Sequence, residues 1–248
     1  MSTTASGTSH DDGPLRERGS EVTRLEAFVD AAFAFAVTML VISFDSLPDS
    51  ISALIEALKG IPAFAASFAV IANFWHLHAR WSRRYGLDDS ATTGLSLLLV
   101  FLVMVYVYPL RMIFGGLFNW ISGGALPAGF TLSSFDDLRW MFLIYAIAWA
   151  TLGLVMVALN RHAWKQRESL DLNRSERLEL RGNLARAWLI PITGGLSGLT
   201  ALLMPESNSY FWPALPGCCY ALMSFSGLVG KKVQQRYLRT IGGAHAGA

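Results

Sequence analysis

Long apolar stretches separated by short polar ones dominate the chain from residue 25 onward. Six of these stretches approach or reach the roughly 20 apolar residues that a membrane-spanning helix needs. The pattern therefore predicts an all-α integral membrane protein, a six-helix bundle with helices over residues 25–47, 60–80, 91–113, 138–160, 186–204 and 209–230. Residues 49–58 have the pattern of a short amphipathic connector between the first two helices.

The two ends of the chain are polar and lie outside this pattern. Residues 1–20 are rich in Ser, Thr and Gly and lack an apolar run, so they predict a disordered tail and not a cleaved signal peptide. Residues 21–232 hold the transmembrane domain, and residues 233–248 form a C-terminal tail. The charged stretch 161–186 predicts a helical extension of the fourth and fifth helices, for which a solvated face is favoured over an assembly surface.

Composition agrees with a membrane protein, because only 15% of the 248 residues are charged, against about 25% in soluble domains. A net charge of +2 argues against a nucleic-acid partner. Cys218 and Cys219 are adjacent in an apolar segment, where they can form neither a disulfide framework nor a metal site.

The basic residues predict the orientation in the membrane, since lysine and arginine concentrate in cytoplasmic loops. With six helices, 17 of the 20 lysines and arginines fall on the side that holds both tails. The other side holds only Lys59, Arg111 and Arg139. Both termini are therefore predicted to be cytoplasmic.

One face of the first helix combines large apolar residues with polar ones. Residues spaced alternately by four and three share a helix face, and this face carries Arg24, Phe28, Ala31, Phe35, Thr38, Ile42 and Asp45. On an isolated helix these would be ordinary lipid-facing or core residues. In a symmetric assembly, rings of Phe35 and Thr38 would exclude water and replace part of an ion's hydration shell, as in a pore.

Asp30 needs a partner or water, because an unpaired carboxylate at mid-membrane costs roughly 2.5 kcal/mol or more. Arg24, His76 and His78 are predicted at the same depth. The carboxylate is either half of an interfacial salt bridge between the first two helices or a group for gating or ion coordination. His76 and His78 point to nearly opposite sides of a helix, which makes them a poor metal pair, and Trp75 suits the membrane interface.

No catalytic signature accompanies these features. The sequence lacks a phosphate-binding loop, a zinc-protease motif, a nucleophile elbow and the filter sequence of classical potassium channels. We therefore expect neither an enzyme nor a cofactor. Because no internal repeat occurs, a central pore would require a homo-oligomer.

The first two helices resemble a known family. Arg24, Phe28 and Asp30, followed by an apolar run and Thr38, resemble the RxxxFSD signature of the transmembrane protein 175 family, the lysosomal potassium channel and its single-repeat prokaryotic homologues. The FWHLH segment, with Phe74, Trp75 and His78, is similar to the end of the family's second helix. The resemblance covers essentially the whole membrane region.

The resemblance implies a cation channel without a P-loop filter, lined by the first helix of each of four subunits in a prokaryotic plasma membrane. Phe35 and Ile42 would form the constriction or gate, Thr38 would contribute to potassium selectivity, and Asp45 would lie at the outer mouth. The remaining signature residues would hold the first helix in position; they are Arg24, Phe28, Asp30, Trp75 and His78. No metal or cofactor is implied, and the partners would be potassium or other monovalent cations and membrane lipid.

Two residues depart from the family pattern. Val29 replaces the signature serine, and Phe35 replaces the usual leucine or isoleucine, so conductance, gating and selectivity are open to difference. Two other classes of function are also considered. One is a non-conducting membrane scaffold or regulator that acts through residues 161–186, and the other is a proton-coupled transporter that uses Asp30 and His78.

Overall fold

The computed structural model describes residues 14–42, 48–206 and 211–245, and within these ranges the chain is helical without a strand. A 3-10 segment, Cys219–Phe225, separates the last two helices. The helices are α1 Arg24–Ile42, α2 Ile51–Leu58, α3 Ile61–Tyr85, α4 Ser90–Ile121, α5 Phe135–Lys165, α6 Arg174–Leu203, α7 Phe211–Cys218 and α8 Ser226–His245.

Side-chain caps fix where α4, α5 and α6 begin, because the first backbone N–H groups of a helix have no partner within it. Asp89 accepts a hydrogen bond from Thr92 N at the start of α4. Reciprocal capping boxes begin α5, between Ser134 and Asp137, and α6, between Asn173 and Glu176. The charged stretch 161–186 is thus the end of α5, a short turn and the first half of α6, as the sequence predicts.

Small residues let α5 and α6 form the most extensive helix–helix contact among the described helices. A Cβ atom on Gly194 would lie 2.9 Å from the carbonyl oxygen of Ala146, and one on Gly153 would lie 2.6 Å from Ile190. Small residues on both helices therefore permit the close packing. Helix α1 packs on α3 and α4, and α8 packs on α6.

Among the described helices, α4 and α5 are each long and apolar enough to cross a membrane, and α2 with α3, bent by 43°, make a third candidate. The prediction of six spans is therefore met only in part. The predicted fifth span forms the second half of α6, whose apolar run is interrupted by Pro191 and several glycines. The predicted sixth span is divided between α7, the 3-10 segment and α8.

Three helix ends differ from those predicted. Pro216 lies inside α7 and lacks a backbone N–H, which accounts for the short α7 and the change to 3-10 geometry. Helix α8 continues to His245, through residues predicted as a tail. Helix α4 passes Pro109 and reaches Ile121, beyond the predicted end at residue 113.

Gly115 leaves room for the loop that returns beside the last turns of α4. A Cβ atom at this position would lie within 3 Å of the Ala128 backbone. The returning loop packs closely on the helix at this point. Asn119 also donates a hydrogen bond to the carbonyl of Leu126 at 2.6 Å, so the same loop holds the last turns of α4.

Candidate functional site: the exposed face of helix α1

Helix α1 has one buried and one exposed face. Val29, Phe33, Ala36 and Leu40 are almost completely buried in the core shared with α3 and α4. The opposite face is exposed in the single chain, and it carries the polar and apolar residues that the sequence places on one stripe. Its described members are Arg24, Phe28, Ala31, Phe35 and Thr38.

Phe35 and Thr38 are neighbours on this exposed face, and Phe35 is 52% exposed. The Thr38 hydroxyl donates a hydrogen bond to the carbonyl of Ala34 at 3.1 Å. Because the hydroxyl proton is directed to the helix backbone, the oxygen lone pairs remain available to accept from water or to contact a cation. Ile42 ends α1, and Asp45 lies outside the described residues.

Asp30 is held by a tryptophan. The indole N–H of Trp75 on α3 donates to Asp30 Oδ1 at 2.7 Å, which is a short hydrogen bond to a carboxylate. Arg24 is exposed and makes no ion pair within the described ranges. The structure therefore brings together two of the signature residues, and it leaves Arg24 apart from Asp30.

His78 is buried and has a different partner. Its Nε2 lies 2.9 Å from Ser96 Oγ on α4, which ties α3 to α4. Phe74 is also buried and packs edge-on against Trp149 of α5. These two residues of the FWHLH segment thus join α3 to the rest of the bundle, while Trp75 reaches α1.

The beginning of α1 is anchored by residues absent from the sequence-based hypothesis. The hydroxyl of Thr23 caps the helix by accepting from Glu26 N at 3.1 Å. The Glu26 carboxylate is almost fully buried and lies 3.8 Å from Arg83 at the end of α3. No group of three or more His, Cys, Asp or Glu side chains in the described part of the chain could hold a metal ion.

Residues 14–20, which the sequence assigns to a disordered tail, form an extended strap across the bundle. The backbone N–H groups of Arg18 and Gly19 both donate to the carbonyl of Arg83. Gly86 ends α3 in the left-handed conformation, with φ at 56°, and a Cβ there would lie 2.9 Å from the Arg18 backbone. The strap therefore passes directly over the α3–α4 turn, four residues before α1 begins.

Two arginines of the strap bind a buried carboxylate, that of Glu176. Arg18 makes two hydrogen bonds of 2.9 Å to the two oxygens of Glu176, and Arg16 N donates to the same group at 2.9 Å. Burial alone would raise the pKa of Glu176, but the hydrogen bonds from Arg18, Arg16 and Asn173 outweigh it and lower that pKa to about 2. We call this contact between residues 16–18 and Glu176 the latch.

Sequence reasoning missed the latch because its two halves are more than 150 residues apart. Only half of it has a local signature: Asn173 followed three residues later by Glu176 is a capping-box pattern. Nothing local indicates that the box also receives two arginines. The same holds for Ser96, whose partnership with His78 depends on how α3 and α4 pack.

The fold and the polar face of α1 define a multi-pass helical membrane protein. A family model described as endosomal/lysosomal potassium channel TMEM175 matches residues 24–109, from the start of α1 to the middle of α4. A protein of Marivirga tractuosa named "Potassium channel" is 30% identical over 233 residues, covering 90% of this chain and 93% of that one. The chain therefore belongs to the TMEM175 family.

A solved structure agrees with this assignment. It is the crystal structure of the potassium channel MtTMEM175, T38A variant, in complex with a Nanobody–MBP fusion protein. That chain is 27% identical to this one, with a TM-score of 0.76, and the similarity covers 90% of this chain and 97% of that chain. The similarity thus extends well beyond residues 24–109, the range of the family model.

Proposed function

We propose that this protein is a potassium-preferring cation channel whose pore is lined by α1 from each of four subunits. The observation that carries the proposal is the exposed face of α1. It places Arg24 and Thr38, one charged and one polar, on the outside of a single chain in a helix that is apolar apart from these two residues, Glu26 and Asp30. Polar residues in membrane helices normally face protein or water, and a pore at an oligomer axis supplies that water.

In this arrangement Phe35 is the constriction, with Ile42 about two turns further along the pore. Phe35 is half exposed and large, so a ring of four such side chains would close a narrow path by excluding water. Thr38 is one turn away, and its oxygen lone pairs would face a passing cation. Asp45 would attract cations to the outer mouth.

The surrounding contacts fit a helix that must keep its rotation about its own axis. Trp75 binds Asp30, Arg83 approaches Glu26, and the buried face packs on α3 and α4. These contacts would keep Phe35 and Thr38 directed to the pore. The family relatives named potassium channels support the ion assignment. Both termini are proposed to be cytoplasmic in a plasma membrane.

The first experiment compares potassium and sodium flux into liposomes that contain the purified protein. Phe35→Ala is the test variant, and Phe101→Ala on α4 is its control, because Phe101 is an equally exposed phenylalanine outside α1. We expect potassium flux to exceed sodium flux in the wild type. The flux should rise at least severalfold in Phe35→Ala and stay unchanged in Phe101→Ala.

Two results would contradict the proposal. Equal fluxes in the wild type and Phe35→Ala, with potassium conducted, would remove Phe35 from the gate. No flux from either protein, with a tetramer confirmed in detergent by light scattering, would favour the scaffold that acts through residues 161–186.

A further inference from the structure

Two cavities of opposite character meet inside the bundle. The first, of about 280 Å³, lies between α3, α5 and α6 near the start of α8. The second, of about 950 Å³, lies between α3, α4, α5 and α7. Asn73, Trp149 and Met223 line both, so the two cavities adjoin at these residues.

The smaller cavity is basic. Arg80, Arg84 and Arg186 line it together with a single acid, Glu179. Glu179 is already shared by two of the arginines, at 3.2 Å from Arg80 and 2.9 Å from Arg84. Arg186 bonds only to the neutral Gly182 carbonyl and Asn183 side chain, and the described residues hold no acid within ion-pair distance of it. The cavity therefore carries excess positive charge.

The basic cavity is also lined by neutral side chains that can form hydrogen bonds. Asn160, Asn183 and Ser226 contribute amide and hydroxyl side chains. Guanidinium groups bind phosphate oxygens with matched pairs of N–H donors, and basic pockets between membrane helices take anionic lipid head groups.

The larger cavity is almost entirely apolar. Its wall includes Ile113, Leu117, Phe130, Met141 and Phe142, and its volume is at the upper end of the roughly 300–1,000 Å³ usual for ligand pockets. Along α3, Asn73 lies seven residues from Arg80, which is about 10 Å. An acyl chain spans about 15 Å, half the hydrocarbon core, so a chain whose head group binds the arginines reaches the apolar cavity.

We propose that the two cavities together bind one anionic glycerophospholipid, with its phosphate at Arg186 and Arg80 and an acyl chain entering the apolar cavity past Asn73. A lipid is favoured over a soluble anion because the basic cavity adjoins an apolar one. A free phosphate would use the basic cavity and leave the apolar one without a role. The binding test below does not depend on ion conduction, so it can fail while the channel proposal stands.

The head-group test uses the full-length protein in detergent, titrated with phosphatidylglycerol, with phosphatidylcholine of the same acyl chains, and with glycerol 3-phosphate. Bound lipid is counted by native mass spectrometry. We expect phosphatidylglycerol to bind at least tenfold more tightly than either of the others. Arg186→Gln should weaken it at least fivefold, whereas the control Arg161→Gln, which removes an exposed arginine of α5 outside the cavity, should not.

The acyl-chain test uses two glycines. Gly217 lines the apolar cavity, and a Cβ there would meet no atom within 4 Å, so Gly217→Leu should fill space without a clash. Gly195 of α6 is equally open and lies outside both cavities, which makes Gly195→Leu the matched control. We expect Gly217→Leu alone to weaken phosphatidylglycerol binding at least fivefold.

Several results would overturn the proposal. Glycerol 3-phosphate binding as tightly as phosphatidylglycerol would indicate a soluble anion. Equal binding of the two lipids, or equal losses in Arg186→Gln and Arg161→Gln, would remove the head-group site. Unchanged binding in Gly217→Leu would remove the acyl-chain site, and dissociation of the oligomer by that variant would assign the apolar cavity to a second subunit.

Discussion

Thr38 is the residue for which the structure adds most to the chemistry of the proposed pore. Its hydroxyl proton is directed to the Ala34 carbonyl, so the side chain presents an oxygen and not a proton to the exposed face. A cation gains from such an oxygen, whereas a freely rotating hydroxyl would first have to turn. The proposed selectivity role therefore depends on the hydroxyl and not on the volume of the side chain.

Replacing Thr38 by valine tests this distinction, because valine keeps the shape and removes the oxygen. We expect Thr38→Val to lower the potassium-to-sodium permeability ratio at least threefold and Thr38→Ser to preserve it. The ratio is measured from the reversal potential with potassium on one side of the membrane and sodium on the other. Equal ratios in the two variants would assign any selectivity of this position to side-chain size.

Asp30 shows what sequence reasoning can and cannot supply at this scale. Helical spacing together with hydropathy indicated that the carboxylate needs a partner, and the candidates were Arg24 and the two histidines. The observed donor is Trp75, one residue from His76. Spacing along one helix defines its faces, but the side chain that a neighbouring helix directs at it depends on the rotation of both helices, which the sequence pattern does not determine.

At the scale of elements, the close pairing of α5 and α6 leaves no room for a larger side chain at Gly194. Gly194→Leu would place a Cβ atom 2.9 Å from the Ala146 carbonyl and 3.0 Å from Ala150 N. Because the contact atoms belong to the backbone, the helices must separate, at a cost of about 1–3 kcal/mol or more.

We expect Gly194→Leu to lower the melting temperature of the purified protein by several degrees in a tryptophan-fluorescence melt. Gly195→Leu, one residue along the same helix and without a neighbour within 4 Å, should leave it within about a degree. Similar losses in both variants would attribute the effect to helix propensity or to lipid contacts instead of the α5–α6 interface.

The sequence predicts most of the helices but not where they end. Apolar runs placed α1, α3, α4, α5 and the second half of α6 correctly. The extension of α4 to Ile121 depends on the loop that packs on Gly115, and the length of α8 depends on its packing against α6. Both are tertiary contacts, which override local composition.

At the scale of the whole molecule, the latch joins residues near the beginning of the chain to the α5–α6 turn. The pKa of Glu176 is lowered from its ordinary value of 4.5 to about 2. A carboxylate with a lowered pKa contributes stability that is fully present above pH 4.5 and is lost as the pH falls towards 2. The difference corresponds to about 3 kcal/mol.

Glu176→Gln tests this contribution. We expect faster amide hydrogen exchange in residues 14–23 at pH 6, with a difference from the wild type that shrinks as the pH approaches 3. Glu168→Gln is the control, because Glu168 is exposed and pairs only with its neighbour Arg167. Protection that is equal in the wild type and Glu176→Gln at pH 6 would show that the backbone bonds to Arg83 hold the strap without the carboxylate.

The separation of the two halves of the latch also orders the events of biosynthesis. Arg18 leaves the ribosome 158 residues before Glu176, which at 5–20 residues per second is roughly 8 to 30 s. During that interval the latch cannot form, because Glu176 has not yet been made. A nascent chain that stops before α6 therefore holds α1 by its contacts with α3 and α4, including the Trp75–Asp30 hydrogen bond and the approach of Arg83 to Glu26, and does so without the latch.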